Sequence, residues 1–339
     1  MDAAVVLAVD GNSLVHRSFH ANGATGQPAW AVRGLLSQLV AAVDRIRPTA
    51  VVVGFDDPDR SVRRERWPSY KANRGEKLAT LVEQLAQAVE AMRGLGVAVA
   101  VPDGWEADDV LASTAAHARR LGASTVVVTS DRDAFALIDP DTRVLRIING
   151  GVDASPVMND ERLVTLLGIR AGQYRDFAAL RGDPSDNLPG VRGIGRHHAA
   201  RLLATFPSAA VAFDDLAAVR SKLGPGVADR LAHPDARPAW EHNCQVMAMR
   251  DDLPIDLELT AGPGVLPLRA DAVEAVYRSF KLTWSVSEAM QVLADHAPDR
   301  PPREVVHPPL ESWTGPTRPR TPAAPKVKRR KPVEQLALF

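Results

Sequence analysis

The sequence holds one cysteine, Cys244, so no disulfide can form within the chain. No apolar run approaches the roughly 20 residues that a bilayer-spanning helix needs. The N-terminus has neither the charged leader nor the apolar stretch of a secretion signal. Charge of one sign is missing too. The 41 basic and 41 acidic residues cancel, and the sum names no partner. These absences leave a cytoplasmic protein without a membrane partner as the economical expectation. What is present is length and apolar content. A chain of 339 residues, 45% of them hydrophobic, can bury a core in one large or two smaller domains.

A neutral sum can hide strong local fields. Gly104-Trp105-Glu106-Ala107-Asp108-Asp109 puts three carboxylates at the start of a helix, which Val110, Leu111, Ala112 and Ala115 continue. Acidic residues in a first turn also suit the helix dipole, so this stretch alone leaves a structural reading open. Other aspartates bear on the choice. Asp10, Asp56 and the pair Asp131/Asp133 each follow an apolar run, and Asp183/Asp186 follow a helical segment. If the runs are neighbouring strands, the acids meet at one sheet edge. Carboxylates that close repel, so their pKa values rise or a cation holds them. An oxygen-only set without histidine suits Mg²⁺ or Mn²⁺ rather than zinc.

The strand reading follows from pattern. Ala3 to Val9, Ala50 to Phe55, Val97 to Val101, Ser124 to Thr129 and Arg143 to Ile148 are short, β-branched and apolar, as in a parallel sheet covered on both faces. Between them, Trp30 to Ile46, Glu76 to Gly94 and Glu106 to Leu121 have helical spacing. The alternation predicts an α/β domain with a mostly parallel sheet, with ligands beyond the strand ends.

From Asp57 to Gly75, Arg60, Arg63, Arg64, Arg66, Lys71 and Arg74 interleave with Trp67 and Tyr70. Cations can neutralise phosphates and rings can stack on bases, although a solvated loop would look similar. After about residue 160 the chain reads as helices. There Gly193 and Gly195, flanked by Arg192, Arg196 and His197, suit a hairpin between two helices that clamps a DNA backbone. Residues 296–334 are rich in proline and basic side chains, the composition of a disordered linker. Lys326 to Lys331 suit a nucleic-acid backbone or mere solubility. Gln335-Leu336-Ala337-Leu338-Phe339 turns apolar again, as a docking peptide would.

Five of these stretches stand in the order of one family: Val9-Asp10-Gly11, Ser61 to Arg74, Glu106 to Asp109, Asp131 to Asp133, and Gly182 to Gly195. Over about residues 5 to 290 the chain resembles the 5′ nuclease (flap endonuclease) family, which includes the N-terminal nuclease domain of bacterial DNA polymerase I. The resemblance implies a PIN-like α/β domain over 1–170 with a helical arch at about 57–94. It also implies a helix-3-turn-helix (helix-hairpin-helix) module over 171–295. It makes Asp10, Asp56, Glu106, Asp108 and Asp109 a first metal site and Asp131, Asp133, Asp183 and Asp186 a second. Lys71 and Arg74 would contact the scissile phosphate, Arg17 would lie near the reacting strand, and Arg63 and Tyr70 would bind DNA. The hairpin would hold K⁺ through backbone carbonyls. It departs from the family in one respect: His197-His198 replace a usual Lys-Thr, so a fixed charge becomes a titratable one. Residues 335–339 resemble the bacterial sliding-clamp motif, with Gln335, Leu336, Leu338 and Phe339 in contact. No polymerase segment follows, which leads to the expectation of a standalone nuclease.

The implied reaction is two-metal hydrolysis of a phosphodiester near a junction of 5′ single strand and duplex, at 5′ flaps, 5′ ends or RNA/DNA primer junctions. It belongs to primer removal, replication and repair. The rivals are a non-catalytic junction-binding clamp adaptor and a PIN-type ribonuclease. The full carboxylate set opposes the first, because anions packed beside DNA do not help a pure binder.

Overall fold

The computed structural model describes residues 4–23, 28–283 and 285–295. The basic stretch 326–331 and Gln335, Leu336, Leu338 and Phe339 lie outside the described residues. Strands β1 (Val5–Asp10), β2 (Ala50–Gly54), β3 (Ala98–Ala100), β4 (Ser124–Thr129) and β5 (Thr142–Arg146) run parallel. A two-residue β6 (Val157–Met158) adds antiparallel to β5, giving the order β3-β2-β1-β4-β5-β6. The sequence reading stops the sheet at β5, because a strand that short carries no periodic signal. Helices α1 (Gly11–Asn22), α2 (Trp30–Ile46), α3 (Val62–Arg66), α4 (Ala79–Leu95) and α5 (Ala107–Arg120) fill the connections.

Apolar strands need cover on both faces, and they have it. Leu7, Val9, Val51, Val53, Val126 and Val128 share a core with Leu35, Leu36 and Leu39 of α2 and Met92 and Leu95 of α4. On the other face Val6, Ala50, Val52 and Ala98 pack with Val110 and Ala118 of α5. The approach of α5 depends on Gly54: a Cβ there would meet the Val110 side chain at 2.8 Å. Each apolar side chain buried this way contributes roughly 1.5–3 kcal/mol. The stretch Gly11–Asn22 begins with weak helix formers and carries no helical signal. It folds as a helix because Asp10 caps it, accepting from the Ser13 N–H at 2.8 Å.

The segment expected to arch over the site divides in two. α3 and the turns at 67–78 lie at the sheet edge, while α4 buries Leu81, Ala88, Met92 and Leu95 in the core. After β6 come α6 (Asp160–Leu167), α7 (Tyr174–Arg181) and α8 (Arg196–Thr205), with a ribbon of β7 (Gly182–Asp183) and β8 (Leu188–Pro189) between the last two. Helices Ala209–Asp214, Leu216–Leu223, Pro225–Leu231 and Ala236–Val246 complete the module. The chain then returns. Leu266, Val273, Tyr277, Leu282 and Leu293 join the core of the sheet, and the Tyr277 hydroxyl donates to the Leu36 carbonyl at 3.0 Å. The last part of the expected 171–295 module therefore packs on the α/β layer.

Candidate active site

Register delivers the acids. Asp10 ends β1 opposite Gly54, Asp56 lies two residues past β2, and Asp131 two past β4. The order β2-β1-β4 reverses direction at β1, so Asp10 and Asp131 flank the switch point where open α/β sheets take ligands. α5 starts at the same edge and adds Glu106 and Asp108. Donors hold several of these groups. The Thr129 hydroxyl donates to Asp10 at 2.6 Å, and the Ala107 N–H to Asp56 at 3.0 Å. The Asp133 N–H donates to Asp131 at 3.0 Å, and the Ser185 N–H to Asp183 at 2.8 Å.

Their electrostatics are those of crowded anions. Desolvation raises the Asp10 carboxyl to about 7, with Asp56 and Asp131 adding repulsion against the Thr129 and Ser13 hydrogen bonds. Burial likewise lifts Asp133 to about 7, reinforced by Asp131, Asp183 and Asp186. Asp108 is pushed well above its ordinary value by burial, then by Asp10, Asp131, Asp133 and Glu106. Asp56 and Asp186 are raised, again by burial first. Glu106 goes the other way. Burial opposes its ionisation, but Lys71 and Arg63 outweigh that and hold it below the usual range.

The cations come from the segment after β2. Lys71 donates to Glu106 at 2.8 Å, and the Arg74 Nε donates to the Ser185 carbonyl at 3.1 Å while its Nη2 pairs with Asp186. The Lys71 backbone sits in the left-handed region at φ 55°, tied by its N–H to the Asp186 carbonyl at 2.9 Å.

Three expected roles need correction. Asp109 is fully buried and forms a bidentate pair with Arg63 at 2.6 and 2.7 Å. It also accepts from the Glu106 and Arg250 N–H groups, at 3.0 and 2.8 Å. Its oxygens are thus committed to protein donors, which takes it out of the metal set. Arg63 is 5% exposed and also donates to the Val246 and Ala248 carbonyls, so it supports the fold rather than DNA. Tyr70 is likewise 5% exposed. Its ring packs with Leu188 and Val246, and its hydroxyl donates to Glu106 at 2.9 Å, which leaves no face for a base.

Among the described residues no three His, Cys, Asp or Glu side chains stand in position to hold a metal ion. The carboxylates turn to protein donors and to Lys71 and Arg74, as like charges do unless a cation draws them inward. The donor chemistry nonetheless fits a hard divalent ion: oxygen ligands only, each raising its neighbours' proton affinity.

Elsewhere the expected residues are more dispersed. Arg17 bonds Asn149 at 3.1 Å beyond β5. Arg192, Gly193 and Gly195 lie exposed on the loop leading into α8, and Arg196 and His197 lie exposed in its first turn. Gly193 has φ +80°, which a larger residue rarely adopts, and Gly195 is the first-turn cap of α8. Arg196 also bonds the Leu166 carbonyl at 3.1 Å.

The family model of the 5′-3′ exonuclease N-terminal resolvase-like domain matches residues 5–167, and that of the 5′-3′ exonuclease C-terminal SAM fold matches residues 169–265. The chain belongs to the 5′-3′ exonuclease family. DNA polymerase I of Mycobacterium tuberculosis (strain ATCC 25618 / H37Rv) is 35% identical over 283 residues, 81% of this chain and 30% of that protein. Thermostable DNA polymerase I of Thermus aquaticus is 36% identical over 259 residues, 75% of this chain and 29% of that protein. The chain therefore spans under a third of these curated relatives. The bacteriophage T5 5′-exonuclease with divalent metal ions (zinc) bound shares the fold at TM-score 0.59 and 18% identity, over 85% of this chain and 99% of that one. Human GEN1 in complex with Holliday junction DNA does so at TM-score 0.56 and 14% identity, over 86% and 72%. The fold is thus a PIN-like resolvase layer with a SAM-like helical module.

Several residues of this site escaped the sequence reading. Thr129, Ser13 and Ser130 form a hydroxyl cluster under Asp10, with Ser13 accepting from the Ser130 N–H at 2.9 Å. A Thr-Ser pair just before the Asp131 motif was the available signal. Asn243, fully buried, ties the Ala179 and Pro189 carbonyls together at 2.9 Å each and so braces the strand ribbon that carries Asp183. No local pattern announces that.

Proposed function

We propose that the chain is a structure-specific 5′ nuclease, hydrolysing phosphodiester bonds near junctions of 5′ single strand and duplex DNA. The observation that carries this is Asp108, a desolvated carboxyl repelled by four others at a sheet switch point. Asp10, Asp56, Glu106 and Asp108 would hold one divalent ion, and Asp131, Asp133, Asp183 and Asp186 another, Mg²⁺ or Mn²⁺ by their oxygen chemistry. Such ions, when bound, supply an activated water and neutralise the leaving oxygen. Thr129 and the Ala107 N–H keep the carboxylates of Asp10 and Asp56 oriented. Lys71 and Arg74, released from Glu106 and Asp186, offset charge growing on the phosphoryl oxygens. The loop at 192–195 and the first turn of α8 would grip the duplex backbone, with K⁺ on the loop carbonyls. Primer-derived 5′ flaps are the natural substrates. The test is a labelled 5′-flap duplex, with cleavage expected in Mg²⁺ and none in EDTA. Binding without cleavage under all divalent ions would leave an adaptor instead.

Lys71→Ala is expected to slow single-turnover cleavage about 100-fold while flap affinity changes far less. Equal losses in rate and affinity would reduce Lys71 to a phosphate anchor.

For the tail we propose a bacterial sliding clamp as partner. Leu336, Leu338 and Phe339 would contribute roughly 1.5–3 kcal/mol each in an apolar groove, and ordering the peptide takes back much of that. A micromolar affinity is expected, raised when DNA supplies a second attachment. Deleting 335–339 is expected to abolish clamp binding in surface plasmon resonance and to leave flap cleavage on naked DNA intact. Undiminished clamp binding would remove this partner.

A further inference from the structure

Behind the carboxylates the fold leaves a cavity of about 300 Å³. One face of α5 floors it, where Ala112, Ala115 and Ala116 are too small to fill the space. Ile138, Met247 and Met249 make an apolar wall, and methionine side chains adapt to the shape of what they meet. The cavity is continuous with the acidic site. Ala136, Arg175, Met247 and Met249 also line a narrower gap whose other walls include Glu106, Asp108, Asp133 and Asp186.

Arg175 stands at this junction, exposed on α7. No side-chain hydrogen bond or ion pair to another described residue engages its guanidinium, whose charge also acts on Cys244. Arg119, in the same lining, is already paired with Asp139 and Asp141 and offers fixed polar edges rather than a spare charge. A half-open pocket with apolar surface on α5 and the two methionines, in which Arg175 is the uncommitted cation and Asp251 a further carboxylate, can seat a flat ring with its phosphate turned to Arg175.

We propose that this cavity is a nucleotide subsite: it takes the base of the nucleotide released on the 5′ side of the cut, with Arg175 on its 5′-phosphate. The proposal deepens the nuclease reading and rests on it for the source of the ligand. Bound there, the product would leave the reaction centre sideways instead of back along the strand.

The test is direct binding, in EDTA and with the full chain, of dAMP and of deoxyadenosine by titration calorimetry. dAMP is expected to bind at least tenfold more tightly than deoxyadenosine. Arg175→Ala is expected to erase that difference, and Ala116→Phe to weaken both ligands at least tenfold at an unchanged melting temperature. If Ala116→Phe unfolds, Ala116→Leu provides the same reading with less added volume. No binding of dAMP at millimolar concentration, or equal binding by the wild type and both variants, would overturn the subsite. Failure of the nuclease reading would register separately, as a flap substrate that stays uncut in Mg²⁺.

Discussion

Asp108→Asn is expected to make the metal-free protein more stable and the enzyme inactive. Desolvation and the fields of Asp10, Asp131, Asp133 and Glu106 all oppose the Asp108 anion. A carboxyl whose folded pKa is raised holds a proton that the unfolded chain has released. Stability then falls as pH rises from the ordinary carboxylate value, near 4, towards the folded one, about 7 for Asp10 and Asp133. Each unit of such a shift is about 1.4 kcal/mol, so removing one anion should return a few kcal/mol at pH 8 and little at pH 4. In the proposed metal set the same change would delete a ligand, which would cost several kcal/mol in the transition state and at least ~100-fold in rate. Thermal melts in EDTA at pH 5 and pH 8, beside flap cleavage in Mg²⁺, check both halves. A variant no more stable than wild type at pH 8 would show that these carboxylates are not in conflict. One that cleaves normally would remove Asp108 from the metal set.

Arg63→Leu is expected to lower unfolding stability by about 3–5 kcal/mol, read as a fall in the urea midpoint at unchanged slope. The reason is what it leaves behind: the Asp109 carboxyl, fully buried and without its bidentate partner. Burial lowers the Arg63 proton affinity, yet the Asp109 and Glu106 bonds raise it further, so the guanidinium stays charged throughout. The double variant Arg63→Leu/Asp109→Leu should recover only part of the loss. Asp109 also satisfies the Glu106 and Arg250 N–H groups, and burying those unpaired has its own cost. Arg63→Lys should fall between, having charge without the fork. A single-variant loss under about 1 kcal/mol would mean that water reaches Asp109.

Both predictions turn on residues that look alike in the sequence and differ in the fold. The strand runs were legible because valine without polar alternation has one stable home, and Ser124–Thr129 and Trp30–Ile46 form over the residues expected. The acids at the strand ends were legible for the same reason, since a strand's end fixes where its next aspartate lies. Arg63 and Lys71 were not separable, because both stand in one basic run and only their tertiary partners tell a cation locked on Asp109 from one paired with Glu106 in the carboxylate cleft. Asp109 was misread in the same way. One helical step from Asp108 turns its side chain from the cleft to the interior, where Arg63 waits from 46 residues away in sequence. α1 hid behind a first turn of Gly, Asn and Ser, and the return of Leu266 to Leu293 to the first core left no local mark.

The ion pair of Lys71 with Glu106 has a thermodynamic consequence of its own. Glu106 cannot serve a metal and Lys71 at full strength together, and Lys71 cannot serve a phosphate while it serves Glu106. An ion arriving at Glu106 therefore frees the lysine for DNA, and DNA arriving at Lys71 frees the glutamate for the ion. In the proposed site the two ligands would be heterotropic partners through this shared bond, and reciprocity would require that each tighten the other by the same factor. At rest the site is self-neutralised. On the proposed reading it would acquire its charge pattern only when metal and substrate are both present, and cutting and recognition would be coupled before any chemistry begins.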